Sequence, residues 1–124
     1  MSLYNNTING NNTNVEEVKE ILYNIEDELP YTSDLGRLRF YDLRAISARY
    51  TGFGTVPKGV KKGDLFIWIT VNLEYTGVGS WGNENIIKHE RADELKYCEK
   101  IFSIIESHLS NYKCRIEICG ARSY

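Results

Sequence analysis

Gly77-Val78-Gly79-Ser80-Trp81-Gly82 is the stretch whose residue types and spacing come nearest to a recognisable chemistry. It has the form G-x-G-x-x-G, follows an alternating apolar run and precedes a helical pattern. In that setting glycines let backbone N–H groups approach a phosphate, and a helix N-terminus adds partial positive charge. The match to a dinucleotide fingerprint is incomplete. Trp81 is bulky where close packing is needed, and the helical pattern starts several residues after Gly82. A chain of 124 residues is also short for a doubly wound sheet. Two readings stay open, a structural glycine turn and an anion-binding loop of another kind. Trp81, with Asn83 and Asn85 nearby, either stacks on a base whose edge the amides read, or plugs the domain or an oligomer contact.

A second aromatic between glycines, Gly52-Phe53-Gly54, follows Arg49. An arginine and a ring together can sandwich a base or hold a phosphate. Arg115 alternates with Cys114 and Ile116 and is expected to point away from the core. Arg122 and Tyr124 lie on the terminal segment, where they can close over a neighbouring subunit's pocket. The expected ligand-binding set is therefore Arg49, Phe53, Gly54, Gly79, Trp81, Asn83, Arg115 and Arg122.

Catalytic and metal chemistry find less support. His89 and Asp93 have helical metal-ligand spacing, but no motif offers a third ligand. Cys98 and Cys114 fall on apolar patterns, and Cys119 has no evident histidine base. Neither G-x-S-x-G nor a phosphate-loop lysine pattern occurs. No catalytic residue, metal or cofactor is expected.

Composition bounds the partners. Apolar residues make up 42% and charged residues 26%, which suits an ordered domain. Three cysteines without a C-x-x-C pair argue against a disulfide framework or zinc ribbon, so a reducing cytoplasm is the expected location. No apolar run is long enough to span a bilayer, and residues 1–14 lack the charge and apolar core of a signal peptide. The net charge of −2 argues against a long nucleic acid. It is unevenly spread. Residues 1–30 hold six acids and one base, whereas residues 31–63 hold seven bases and two acids. That basic zone either attracts a small anion or pairs with the acidic helix before it.

The positioning elements follow from periodicity. Residues 1–13 are rich in Asn, Thr and Gly and are expected to form a flexible tail, leaving 14–124 as a single domain. Asn14 is a candidate N-cap with Glu17 three residues on. Val15, Val18, Leu22, Ile25 and Leu29 then repeat at helical spacing until Pro30. Residues 37–51 suit a long bent strand better than a helix. Leu65 to Tyr75 alternates, with Leu65, Ile67, Ile69, Val71, Leu73 and Tyr75 expected inward and Phe66, Trp68, Thr70, Asn72 and Glu74 on the other face. That second face is half aromatic and is a candidate subunit contact. A long helix carrying Leu95, Cys98, Phe102, Ile105 and Leu109 precedes a last strand from Lys113 to Cys119. The expected fold is α+β, a small antiparallel sheet of about three strands with two helices in the order α-β-β-α-β, assembled as a homodimer or higher homo-oligomer.

The short α+β plan without a catalytic motif, together with Phe53, Trp81, Arg115 and Arg122, resembles the phage proteins that counter the Thoeris defence system by sequestering its cyclic ADP-ribose signal. The Asn-, Tyr-, Ile- and Lys-rich composition fits an AT-rich genome. The resemblance implies a nucleotide sponge that binds without cleaving, with pockets between subunits, acting in the host cytoplasm. Two other classes remain: an inhibitor module acting through Glu16, Glu17, Glu20, Glu26 and Glu28 of the first helix, and a small nucleotide hydrolase.

Overall fold

The computed structural model describes residues 1–76 and 84–122, with side chains for all of these except 84–87 and 122. The glycine motif at 77–82 lies outside the described residues, and with it Gly79, Trp81 and Asn83. The elements in chain order are β1 (Ser2–Asn9), α1 (Val15–Ile25), β2 (Leu38–Arg49), β3 (Leu65–Tyr75), α2 (Glu84–Leu109) and β4 (Lys113–Arg122). A single 3-10 turn, Glu26–Glu28, follows α1.

The α+β class and both helices agree with the sequence, but the sheet has four strands in the order β1-β4-β3-β2 rather than three. The added strand is β1, in the segment expected to be a flexible tail. It pairs antiparallel with β4 from Ser2↔Cys119 to Asn9↔Lys113. Its polar composition concealed a strand that still packs Leu3, Tyr4 and Ile8 against the core. Ile8 is buried, and the Tyr4 ring meets that of Phe102 at 5.9 Å. The sheet is also mixed rather than antiparallel, because β3 and β4 run parallel. The cause lies in α2. Its 26 residues carry the chain back about 39 Å, past the full length of β3, so β4 must start where β3 started.

Residues 38–49 form the bent strand expected of them. β2 pairs with β3 along its whole length, with a bulge between Phe40 and Asp42. Asn14 caps α1, its Oδ1 accepting from the amides of Glu16 and Glu17. Glu17 does not return the bond to Asn14. It accepts instead from the Asn12 amide and the Tyr112 hydroxyl.

Both helices contribute to one core on one face of the sheet. Val18, Leu22 and Ile25 of α1 and Tyr97, Cys98, Ile101, Phe102, Ile105 and Leu109 of α2 meet Ile67, Ile69, Val71, Leu73, Cys114, Ile116 and Ile118. Leu95, expected on the buried stripe of α2, is half exposed, and Tyr97 and Ile101 take that role; Leu65, expected inward, is exposed where β3 begins. The opposite face carries Asn5 and Thr7 of β1, Arg115 and Glu117 of β4, Trp68, Thr70 and Asn72 of β3, and Asp42 and Arg44 of β2. No helix among the described residues is long and apolar enough to cross a membrane.

Candidate functional site

The register of β3 on β4 sets Trp68 beside Arg115 on the face away from the helices. The Arg115 guanidinium carbon stands 5.0 Å from the centre of the Trp68 ring, within cation–π range. Arg115 Nη2 donates to Glu117 Oε2 at 3.0 Å and to Asn5 Oδ1 at 3.4 Å. Two donors beside this contact, Arg115 Nε and Trp68 Nε1, are buried and have no hydrogen-bond partner among the described residues. A buried N–H without an acceptor is costly and uncommon, so two adjacent ones call for an explanation.

The chain segment between β2 and β3, residues 50–64, reaches across this face. Arg49 Nη1 donates to the Gly63 carbonyl and so braces the root of the loop. Gly54 has φ of +90°, and a Cβ there would stand 3.2 Å from Arg115 Nη1. Further on, the Lys58 amide donates to Asn9 Oδ1 of the far edge strand at 2.7 Å. Thus one loop passes from β2 over β3 and β4 to β1. Beneath it Phe66 is only 4% exposed. Of the two rings expected to await another subunit, Phe66 is thus buried within the chain itself and Trp68 is partly buried.

Beyond the loop the same face continues as a polar surface. Asn72 Nδ2 donates to Asp42 Oδ1 at 2.6 Å, and Arg44 stands 3.7 Å from Asp42. Cys119 Sγ donates to Glu117 Oε1 at 3.4 Å. Partial burial, followed by that bond and the nearby carboxylate, raises the Cys119 thiol above its ordinary value. It is therefore not an activated nucleophile. Burial pushes the Cys98 and Cys114 thiols up to about 12.

The structure brings some of the expected site residues together and separates others. Arg115 and Gly54 are in contact range. Phe53 is next to Gly54 and 86% exposed, a free ring at the loop tip. Arg49 is committed to Gly63. Arg122 pairs with Tyr75 at the other end of β4, seven residues and about 23 Å from Arg115, so one protomer does not gather both into one pocket. Trp68 is a site residue outside the expected set. Its alternation with Ile67 and Ile69 placed it on the right face, but nothing local announced Arg115 as its neighbour.

The remaining candidates resolve structurally. Asp93 is buried, and its Oδ1 accepts from the Leu35 amide, which fixes the turn before β2. No cluster of metal-binding side chains occurs among the described residues. Three of the four arginines of the basic segment find acids outside α1: Arg37 pairs with Glu90, Arg39 with Glu74 and Arg44 with Asp42. Compared with known proteins, the chain matches no family, no curated sequence and no solved structure.

Proposed function

We propose that this chain binds a small anionic molecule of the nucleotide type, without converting it, on the Trp68–Arg115 face beneath the 50–64 loop. The observation that carries the reading is the pair of buried, unpartnered N–H groups, Arg115 Nε and Trp68 Nε1, beside a cation–π contact. A phosphate or carboxylate oxygen is a strong acceptor for both, and a charge-assisted bond to Arg115 is the stronger of the two. Phe53, exposed on the loop beside Gly54, offers a ring on which a base can stack. Glu117 already takes one guanidinium bond, which lowers the net attraction and favours ligands that bring stacking area as well as charge.

The absence of conversion rests on the chemistry of the nearest groups. Cys119 is held protonated, and the carboxylates Glu117 and Asp42 are occupied by Arg115, Cys119, Asn72 and Arg44. Sequestration of a cyclic ADP-ribose-like signal, the role suggested by the resemblance to phage anti-defence proteins, is the most specific form of this reading.

Calorimetric titration with ADP-ribose-type nucleotides and with inorganic phosphate tests it. Binding is expected to be saturable, and Arg115→Ala to weaken it by about 1–3 kcal/mol, the range for a hydrogen bond to a charged group. Heat denaturation of the complex should return the nucleotide intact. Identical isotherms for wild type and Arg115→Ala, or recovery of a cleaved nucleotide, would overturn the proposal.

A further inference from the structure

The outer side of β2 is the long open edge of this sheet, and backbone bonds show which of its groups are unpaired. Near its start the edge is closed by the chain itself: the Phe40 amide donates to the Tyr31 carbonyl, and the Ser33 amide to the Leu38 carbonyl. Near its end Tyr50 exchanges bonds with Gly63 and Asp64 on the β3 side. Counting back by twos from Tyr50, residues 48, 46, 44 and 42 bond towards β3. The amides and carbonyls of Leu43, Ala45, Ser47 and Arg49 therefore point outward. Among the described residues nothing pairs with them. An uncovered edge of this length without a proline is a template for another strand.

On its helix side this edge borders an apolar groove of about 390 Å³ between Lys19, Leu22, Tyr23 and Glu26 of α1 and its end and residues 43–46 of β2, of which Leu43 and Ala45 face the helices while Arg44 and Ile46 sit on the other face. Tyr23 is 78% exposed, and Ile46 on the edge is 53% exposed. We infer that two copies of this chain pair through these edges, β2 against β2 in antiparallel fashion, about a two-fold axis at Ala45.

Three observations select a second copy and this register. The free edge runs from the bulge at Tyr41 to Arg49, so its midpoint is Ala45, and pairing about that point covers all of it. Moving the axis to Arg44 would set that arginine directly against its own copy, a like-charge pair. Moving it further, to Leu43, would drive the partner strand into Tyr31–Ser33. Charge on the groove is also self-complementary. Lys19 and Glu26 stand at opposite ends of the α1 ridge, and a two-fold between them brings each Lys19 opposite the partner's Glu26. A Leu43–Ser47 pair on each side of the axis then closes the groove floor, with the two Tyr23 rings above it. This pairing does not depend on the ligand proposed above.

Sedimentation velocity and residue-resolved amide exchange test the inference on the full chain. The wild type is expected to sediment as a dimer, with the amides of Leu43, Ala45 and Ser47 protected in proportion to dimer formed. Ser47→Pro removes an outward donor that the monomer does not use, so it should give a folded monomer. If that variant fails to fold, Lys19→Glu and Glu26→Lys decide instead. Each alone should weaken dimerisation about threefold to tenfold, and mixing the two should restore it, since each then meets its opposite charge. A wild type that stays monomeric at high micromolar concentration overturns the inference. So does a folded Ser47→Pro dimer, or a charge-reversed pair that gains nothing on mixing.

Discussion

Arg115 illustrates how much a single side chain owes to its neighbours. Its position between Cys114 and Ile116 fixes only its direction, away from the core. What it meets there depends on three other segments: Asn5 of β1, Trp68 of β3 and Gly54 of the loop. Glu117 matters most, because it holds Arg115 with one oxygen and the Cys119 thiol with the other. Glu117→Gln removes the carboxylate charge that, after burial itself, keeps Cys119 protonated. The thiol should then ionise at lower pH, and its reaction with a disulfide reagent near pH 8 should accelerate several-fold. An unchanged rate would mean that burial alone governs this thiol. Gly54 is a second single-residue test. At φ +90°, Gly54→Ala is expected to cost about 1–2 kcal/mol and to push on the Arg115 guanidinium, so thermal stability and nucleotide affinity should fall together.

At the scale of elements, local signals located α1, β2, β3 and most of β4 because each carries its own periodicity. Asn14 caps, Pro30 follows the 3-10 turn that ends the first helical run, and Ile67, Ile69, Val71 and Leu73 alternate inward. β1 was illegible for a physical reason. It is an edge strand with one polar face and a half-buried tyrosine, so its sequence resembles that of a loop. Its partner, β4, lies more than a hundred residues away. What holds it is partly Gly10, where a Cβ would fall 2.1 Å from the backbone of Asn111. No rotamer change relieves a clash with backbone. Gly10→Ala is therefore expected to peel β1 from β4, with amide protection lost across Tyr4–Asn9 while α1 and α2 keep their helicity. Retained protection there would show that the turn simply shifts. The site was half legible on the same grounds. Arg115, Phe53 and Gly54 stand out by type and punctuation. The Trp68 contact depends on a parallel register, which the length of α2 sets and no neighbouring residue encodes.

For the molecule as a whole, the free thiols tie stability to pH in one direction. Cys98 and Cys114 sit in the shared core between helices and sheet, and burial raises both from 9.0 to about 12, with Glu94 and Glu99 adding to the rise at Cys98. Unfolding returns them to water, where they ionise near 9, so between those values the unfolded chain releases protons that the folded chain keeps. The stabilisation is thus complete below pH 9 and is lost as pH climbs towards 12, at up to about 1.4 kcal/mol per pH unit for each thiol. Urea midpoints measured from pH 7 to 11 should be flat at first and then fall. Cys98→Ala and Cys114→Ala, each less stable at pH 7 because of the cavity left behind, should show a shallower fall than the wild type. Equal slopes in all three proteins would place the alkaline loss elsewhere, with Tyr97 as the next group to examine. Its hydroxyl bonds to the Pro30 carbonyl, and burial raises its ionisation in the same sense. Because these groups lie on the opposite face of the sheet from Arg115, ligand binding and alkaline unfolding should respond to separate sets of substitutions, and a variant that moved both would reveal coupling through β4.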